Sequence, residues 1–172
     1  MPSKHKFGNE RGQTAVMFTI ALLVIFGAVG LVVDIGWAYY RKQAAQSAAD
    51  AAAMSAALAA YASAGGGSIN CATPHVVCYA TETGCATGIT TPANNIESGC
   101  LYAQTNGFTN SGNQRVTFQS GVGAAPSAPG VTIGYWVVAR VTERIPQLFS
   151  AVLGNPTALV SARAATGTRQ AS

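Results

Sequence analysis

Charged side chains are scarce in this chain of 172 residues, because Asp, Glu, Lys and Arg together make up only 9% of it. Soluble globular domains usually carry about 25%. The chain is not of the disordered class, since 49% of its residues are hydrophobic and disordered chains have low hydrophobicity. Its net charge of +4 results from ten basic and six acidic residues. The basic residues form no run longer than Arg41-Lys42. We therefore predict no nucleic-acid partner, because phosphate binding needs clustered basic groups.

Residues that carry catalysis or bind metals are also few. The chain has two histidines, His5 and His75, and its six acidic residues include no close pair that could serve as general acid and base. Glu82 and Glu97 are interpreted as solvated side chains. The sequence contains no Gly-rich phosphate loop, nucleophile elbow or C-x-x-C pair. We therefore predict a protein that is not an enzyme and that uses no cofactor, metal or small-molecule substrate.

Charge is absent altogether from residues 14–33, where twelve of the twenty side chains are Leu, Ile, Val or Phe. A helix of twenty residues is about 30 Å long, which matches the hydrocarbon thickness of a bilayer. We predict a membrane-spanning helix, with a buried core helix or a cleaved signal peptide as the alternatives. Three basic residues precede the run, and two, Arg41 and Lys42, follow closely behind it. This favours a cytoplasmic amino terminus and an extracytoplasmic remainder.

Asp34 lies at the outer end of this run, near three aromatic residues of the kind found at the headgroup level of a membrane. Asp34 and Arg41 are seven residues apart and share one face of a helix. In one interpretation the carboxylate pairs with Arg41 or reaches water. In the other, it contacts a basic group on a neighbouring helix during assembly. Both residues are therefore candidates for a helix interface.

Alanine dominates residues 43–64, and neither Gly nor Pro occurs until the glycine triplet at 65–67. Because alanine is the strongest helix former, we predict that the helix continues out of the membrane and ends at the triplet. Met54, Leu58 and Tyr61 fall on one apolar stripe of this extension. The stripe is expected to pack either on the protein's own head or on an equivalent helix of another subunit.

The four cysteines lie in a loop-rich region, residues 68–112, that is otherwise short of core-forming side chains; they are Cys71, Cys78, Cys85 and Cys100. Because this region is predicted to lie outside the cytoplasm, two disulfides are expected. Three connectivities are compatible with the sequence, and pairing the cysteines in chain order closes the shortest loops. Zinc binding is the alternative, since His75 falls between the first two cysteines.

The last third of the chain has the periodicity of strands. Residues 131–142 alternate in polarity, and Gln114–Val122 does so more weakly, which predicts a hairpin. A short amphipathic helix is predicted over 145–154, because Pro lies near its start and Gly at its end. Residues 157–166 alternate again and predict a last strand. The predicted fold class is α+β: a long transmembrane helix that continues as an alanine-rich helix, packed against a small antiparallel sheet with one short helix.

Several motifs of the chain are similar to those of a known family. They are residues 11–18 (RGQTAVMF), 33–36 (VDIG), 46–53 (QSAADAAA), 141–149 (VTERIPQLF) and 160–164 (VSARA). They resemble the tight-adherence (Tad, or Flp) pilus assembly proteins of the TadE/TadG type. The cysteine region, residues 68–112, resembles none of the motifs of this family. Longer proteins of the TadG kind continue into a domain with a metal site, and no such site can be carried over to this chain.

The resemblance implies a pseudopilin-like, single-pass protein of the bacterial inner membrane. Such a protein helps to assemble a Tad pilus or a related secretion apparatus through contacts with the bilayer, with other subunits and with copies of itself. Pilin-like precursors are cut after a glycine that ends the leader, so Gly12 and Gln13 form the candidate processing site. The Glu that related pilins carry five residues after the cut is Met17 here.

These inferences divide the chain into three parts. They are a basic cytoplasmic leader, residues 1–12; the transmembrane helix with its extension, residues 13–64; and an extracytoplasmic α+β head, residues 65–172. The second functional hypothesis is a membrane-tethered adhesive or ligand-binding module in which the cysteine region, residues 68–112, makes the contact and the helix is a tether.

Overall fold

The computed structural model describes residues 10–125 and 132–168, with the side chains of Glu10, Arg11 and Thr132 left out. The predicted basic leader therefore lies almost entirely outside the described residues. The chain divides into two compact units. The described part of the first unit is residues 10–37 with Pro146–Thr157, and that of the second unit is residues 38–125, 132–145 and 158–168.

The first element is a single helix, α1, which comprises Glu10–Ser63. The predicted long helix is thus confirmed. Its most apolar window has a mean hydropathy of 2.8, yet only 6% of that window is buried. A core helix of a soluble protein would bury such side chains, because burying each one stabilises the fold by about 1.5–3 kcal/mol relative to leaving it in water. One described helix is therefore long and apolar enough to cross a membrane.

The outer part of α1 forms one wall of the core of the second unit. It does so through alanines at helical spacing, all 5% exposed or less: Ala45, Ala48, Ala49, Ala52, Ala53, Ala56, Ala57 and Ala60. Most of these join a hydrophobic cluster with the sheet residues Val116, Phe118, Tyr135 and Val137. Alanine suits this position because its small side chain lets a helix backbone approach the sheet closely.

The sheet has four strands in the order β1-β2-β3-β4: β1 Thr83–Gly84, β2 Gln114–Ala124, β3 Thr132–Pro146 and β4 Thr157–Thr168. β2 and β3 are antiparallel and pair from Gln114 opposite Glu143 to Ala124 opposite Thr132, with an irregularity at Val122 and Gly123. The predicted strands and the predicted α+β class are confirmed. β3 is buried on both faces at its centre, since Trp136 and Val138 form a second small cluster with Ala125.

The cysteine region is more ordered than the sequence analysis predicted. It contains a helix, α2, which comprises Asn95–Thr105. It also supplies seven buried residues to the main core: Ile69, Val76, Cys85, Ile96, Cys100, Ala103 and Phe108. The region is loop-rich, as predicted, since β1 and α2 are the only strand and helix within residues 68–112. The expectation that it is short of core-forming side chains is wrong. The contribution of these seven residues to the core was not predicted, because they are spread over forty positions and show no continuous helix or strand period.

The short helix predicted over 145–154 is only partly formed. Pro146 ends β3, and only Ser150–Leu153 form a short 3-10 helix, η1. The end of the segment is as predicted, since Gly154 adopts a left-handed φ of 90°. The start differs because the N–H groups of residues 148–150 donate to the carboxylate of Asp34. These residues therefore do not form a regular first helical turn.

Candidate functional site

Two faces of the outer part of α1 have opposite properties. The alanine face is buried in the core, whereas Met54, Leu58 and Tyr61 are 54%, 59% and 47% exposed. We call these three residues the exposed edge. The expectation that the stripe packs on the protein's own head is therefore wrong, because the helix turns its smallest side chains inward. Large apolar side chains on an exposed helix edge are typical of an interaction surface.

A shallow apolar groove of about 490 Å³ runs beside the exposed edge. On one side it is lined by Met54 and Leu58 of α1, and on the other by Leu101 and Tyr102 of α2. Tyr102 is itself 52% exposed. Small side chains of α1 form most of the floor, so the groove is wide enough for large side chains of a partner to lie in it.

The close approach of α2 to α1 depends on Gly99. A Cβ atom built at Gly99 would lie 2.8 Å from the carbonyl oxygen of Ala52 and 2.7 Å from the ring of Phe118. Neither distance is allowed for a real side chain, and the backbone of Ala52 cannot move aside cheaply. Gly99 therefore allows α2 to lie against both α1 and the sheet, and so it fixes the width of the groove.

Arg41 is held inside the second unit by Glu143. Its Nε and Nη2 atoms donate to the two carboxylate oxygens of Glu143, both at 2.8 Å. Gln114 donates to the same carboxylate at 3.0 Å, and the Arg41 guanidinium lies 4.8 Å from the centre of the Phe108 ring. This arrangement joins the helix to β2 and β3, so Arg41 acts first as a contact within the chain.

Asp34 is almost fully buried, with 3% of its surface exposed, and it binds a different partner from the one predicted. Its carboxylate accepts three backbone hydrogen bonds, from Leu148 at 2.9 Å, from Phe149 at 3.0 Å and from Ser150 at 2.7 Å. The hydrogen bonds predicted with Arg41 or with water are thus made with backbone N–H groups instead. These three charge-assisted hydrogen bonds use fixed backbone donors and compensate the carboxylate for its burial.

The four cysteines form two disulfides, Cys71–Cys78 and Cys85–Cys100. The predicted disulfides are present, and they join the cysteines in chain order. The Nδ1 atom of His75 lies 3.0 Å from the carbonyl oxygen of Ala93. Within residues 10–125 and 132–168, no group of three His, Cys, Asp or Glu side chains could hold a metal ion.

The hydroxyl of the buried Tyr135 bonds to one residue inside each of the two disulfide-closed loops. Its hydroxyl donates to the carbonyl oxygen of Val77 at 3.1 Å and accepts a hydrogen bond from the side-chain amide of Asn95. Burial raises the pKa of Tyr135 further than its hydrogen bonds lower it. The phenol therefore stays protonated and keeps its donor role.

Several residues that build these surfaces were not predicted from the sequence. Glu143 and the residues that contact Asp34 lie more than 100 positions from their partners, so no local pattern could reveal them. The start of α2 did have a local signal. The side chain of Asn94 accepts from the N–H of Glu97 at 2.9 Å, and the Glu97 carboxylate accepts from Ala93 at 2.7 Å. An Asn three residues before a Glu is a helix-start pattern.

Comparison with known proteins bears on the long helix. No curated protein and no solved structure significantly matches this chain. Residues 12–64 match the family model "Putative Flp pilus-assembly TadE/G-like" (Tad), so the resemblance is confirmed for that segment. The match supports a role in pilus assembly and suggests a structural rather than an enzymatic part in it. A long apolar helix near the amino terminus fits a membrane anchor in such a system. The segment that forms α1 is thus of the Tad pilus-assembly type.

Proposed function

We propose that this protein is a pseudopilin-like structural component of a Tad (Flp) pilus or a related secretion apparatus. The observation that carries the proposal is that the two ends of the family-matched helix α1 differ in burial. Most of its residues 14–33 are apolar and exposed, whereas eight of its alanines between Ala45 and Ala60 are buried. A helix that anchors in the membrane at one end and contributes to the core of a head at the other connects the head to the membrane.

The exposed edge and its groove are the proposed assembly surface. Met54, Leu58 and Tyr61 offer large apolar side chains, and the neighbouring alanines would allow a second helix to approach closely. The proposed partner is an equivalent helix of another copy of this chain or of another pilus subunit. Asp34 and Arg41 keep a supporting role, since both are bound within their own units.

The proposed location is the bacterial inner membrane, with the amino terminus in the cytoplasm and the head in the periplasm. Two observations support this orientation. The three basic residues ahead of the apolar run slightly outnumber the two directly behind it, Arg41 and Lys42. The head contains two disulfides, and disulfides persist in the oxidising periplasm but not in the cytoplasm.

Removal of the leader after Gly12 is part of the same proposal. The backbone of Gly12 and Gln13 lies in α1, and the position five residues after the cut is Met17 instead of the usual Glu. An intact mass lacking residues 1–12, measured on membrane-extracted protein, is the expected result. A full-length mass would instead identify a permanently anchored assembly factor.

Residues 10–125 and 132–168 give the adhesive-module hypothesis no specific support. Cys85, Cys100 and Phe108 of the cysteine region point into the main core, so this region is part of the head's framework. Its deletion would unfold the head whatever its role, and a deletion experiment cannot separate the two hypotheses. Point substitutions on the exposed edge can separate the two hypotheses.

Replacing Met54 and Leu58 together by lysine is expected to abolish surface pili in the native bacterium, because two charges would be desolvated in a helix interface. The matched control is Val122→Lys on β2, since Val122 is 46% exposed and lies apart from the groove. Pili are counted by electron microscopy, and the amount of protein in the membrane fraction is measured in parallel. Normal piliation in the double variant at normal abundance would contradict the proposal.

A further inference from the structure

The loop between β3 and β4 carries an unusual set of exposed apolar side chains. Leu148, Phe149, Val152 and Leu153 are 72%, 45%, 86% and 79% exposed. No charged residue occurs between Arg144 and Arg163. Four large apolar side chains on one short loop, without a charge near them in the sequence, are not typical of a surface that faces water.

Asp34 attaches this loop to the end of the apolar run. Its carboxylate binds the N–H groups of Leu148, Phe149 and Ser150, and all four residues belong to the same compact unit. The loop backbone is therefore held at the level of Asp34, which is the first residue after the uncharged residues 14–33.

Phe149 lies even deeper along the helix. Its ring packs so closely on Gly30 that a Cβ atom at this position would collide with it. Gly30 lies four residues before Asp34, which is about 6 Å nearer the middle of the apolar run. The side chain of Phe149 is thus at the depth of the membrane-spanning residues themselves.

The loop backbone can tolerate such a depth because most of its N–H groups are already paired. Seven N–H groups of residues 147–155 donate to acceptors within the same unit. They are those of Gln147, Leu148, Phe149, Ser150, Val152, Gly154 and Asn155. Unpaired backbone groups are what makes irregular chain costly at a membrane interface. This loop avoids most of that cost.

We propose that residues 147–154 form a second membrane contact, in which Leu148, Phe149, Val152 and Leu153 insert into the outer boundary between headgroups and acyl chains beside α1. The partner is the lipid itself, because the loop is continuous with the face of the helix that the bilayer already surrounds. This inference rests on the proposed membrane anchoring of α1. It adds a carboxylate-tethered wedge that would fix the tilt and depth of the anchor.

The test uses the full-length protein, with its disulfides intact, in vesicles of phosphatidylethanolamine and phosphatidylglycerol. A Val152→Cys variant is labelled with the polarity-sensitive dye NBD, and lipids brominated near the top or near the end of the acyl chain serve as quenchers for the boundary and the bilayer centre. The expected result is a blue-shifted emission that brominated lipid quenches to about the extent seen for an Ile25→Cys label in the apolar run. A Val122→Cys label on β2 is the control for a water-exposed site.

Three results would overturn the proposal, and they are distinguishable. A water-like emission at position 152 with a quenched label at position 25 would remove the wedge and keep the anchor. A blue-shifted label at position 152 that lipid does not quench, and that shifts with protein density in the vesicles, would identify another copy as the partner. An unquenched label at position 25 would remove the anchor, and with it the proposed function.

A second variant tests the role of the tether. Asp34→Ala leaves the apolar side chains unchanged but removes the acceptor of three backbone hydrogen bonds. Quenching at position 152 is expected to fall while quenching at position 25 is unchanged. Equal quenching at position 152 with and without the Asp34 carboxylate would show that the carboxylate does not position the loop.

Discussion

Replacing both Cys85 and Cys100 by alanine is expected to lower the free energy of unfolding of the head by about 3 kcal/mol. The disulfide closes a loop with a sequence separation of 15, and the loss of that constraint frees the unfolded chain by roughly this amount. Both cysteines are also buried, at 9% and 5% exposure, so their removal loosens the contact between α2 and the core. The measurement is denaturant unfolding of the detergent-solubilised full chain, followed by tryptophan fluorescence.

The second disulfide supplies a matched control. Cys71–Cys78 closes a separation of only 7, and Cys71 is exposed, so its removal is expected to cost about 2 kcal/mol. The order of the two effects follows from loop length and burial. A larger loss for the pair Cys71 and Cys78 would contradict this explanation. Thiols that react before any reductant is added would contradict the oxidising location of the head.

Replacing Glu143 by alanine is expected to cost about 3 kcal/mol, because the Arg41 guanidinium would lose both carboxylate oxygens while its side chain stays only 20% exposed. Removing one partner of a largely buried ion pair leaves a charge without compensation. Gln114 would also lose an acceptor. Unfolding is followed as for the disulfide variants.

A double-mutant cycle with Arg41→Ala separates the pair from its surroundings. The double variant is expected to lose clearly less than the sum of the two single losses, since neither charge is then left alone. The control is the exposed pair of Arg140 and Glu82, whose side chains are 40% and 41% exposed; Glu82→Ala is expected to cost about 0.5 kcal/mol. Equal losses for Glu143 and Glu82 would show that burial does not matter here.

The long helix and the hairpin were predictable because their signals are local. Twenty uncharged residues, an alanine-rich extension and a glycine triplet define α1 almost to its ends, since Ser63 is its last residue. The alternation in 131–142 and 114–122 likewise placed β2 and β3. Local composition and period are sufficient for elements of this length.

The direction in which α1 faces was not predictable in the same way. The largest apolar side chains of the outer part of α1 were candidates for packing in the core of the head, yet Ala52 is buried and Leu58 is exposed. The physical reason is the close approach of α2, in which Gly99 lies against the carbonyl group of Ala52. A helix that packs at such short distance must present alanine, and nothing in its own sequence says which face a partner helix will take.

The contacts of Asp34 and Arg41 were beyond sequence analysis for a different reason. Each depends on a residue more than 100 positions away, and a helix period can only suggest partners on the same helix. The nearest opposite charge on the helix was therefore the natural expectation for Asp34. The structure replaces it with backbone groups of a loop, which leave no trace in the side-chain pattern.

The most direct test of the central claim, that the exposed edge of α1 joins this chain to another subunit, is photo-crosslinking in the native bacterium. Benzoylphenylalanine placed at Leu58 is expected to crosslink to a second copy of the chain or to another pilus protein, identified by mass spectrometry. The same probe at Val122 gives the background, because both positions are exposed. Crosslinks from Leu58 that do not exceed those from Val122, in cells that make pili, would contradict the claim.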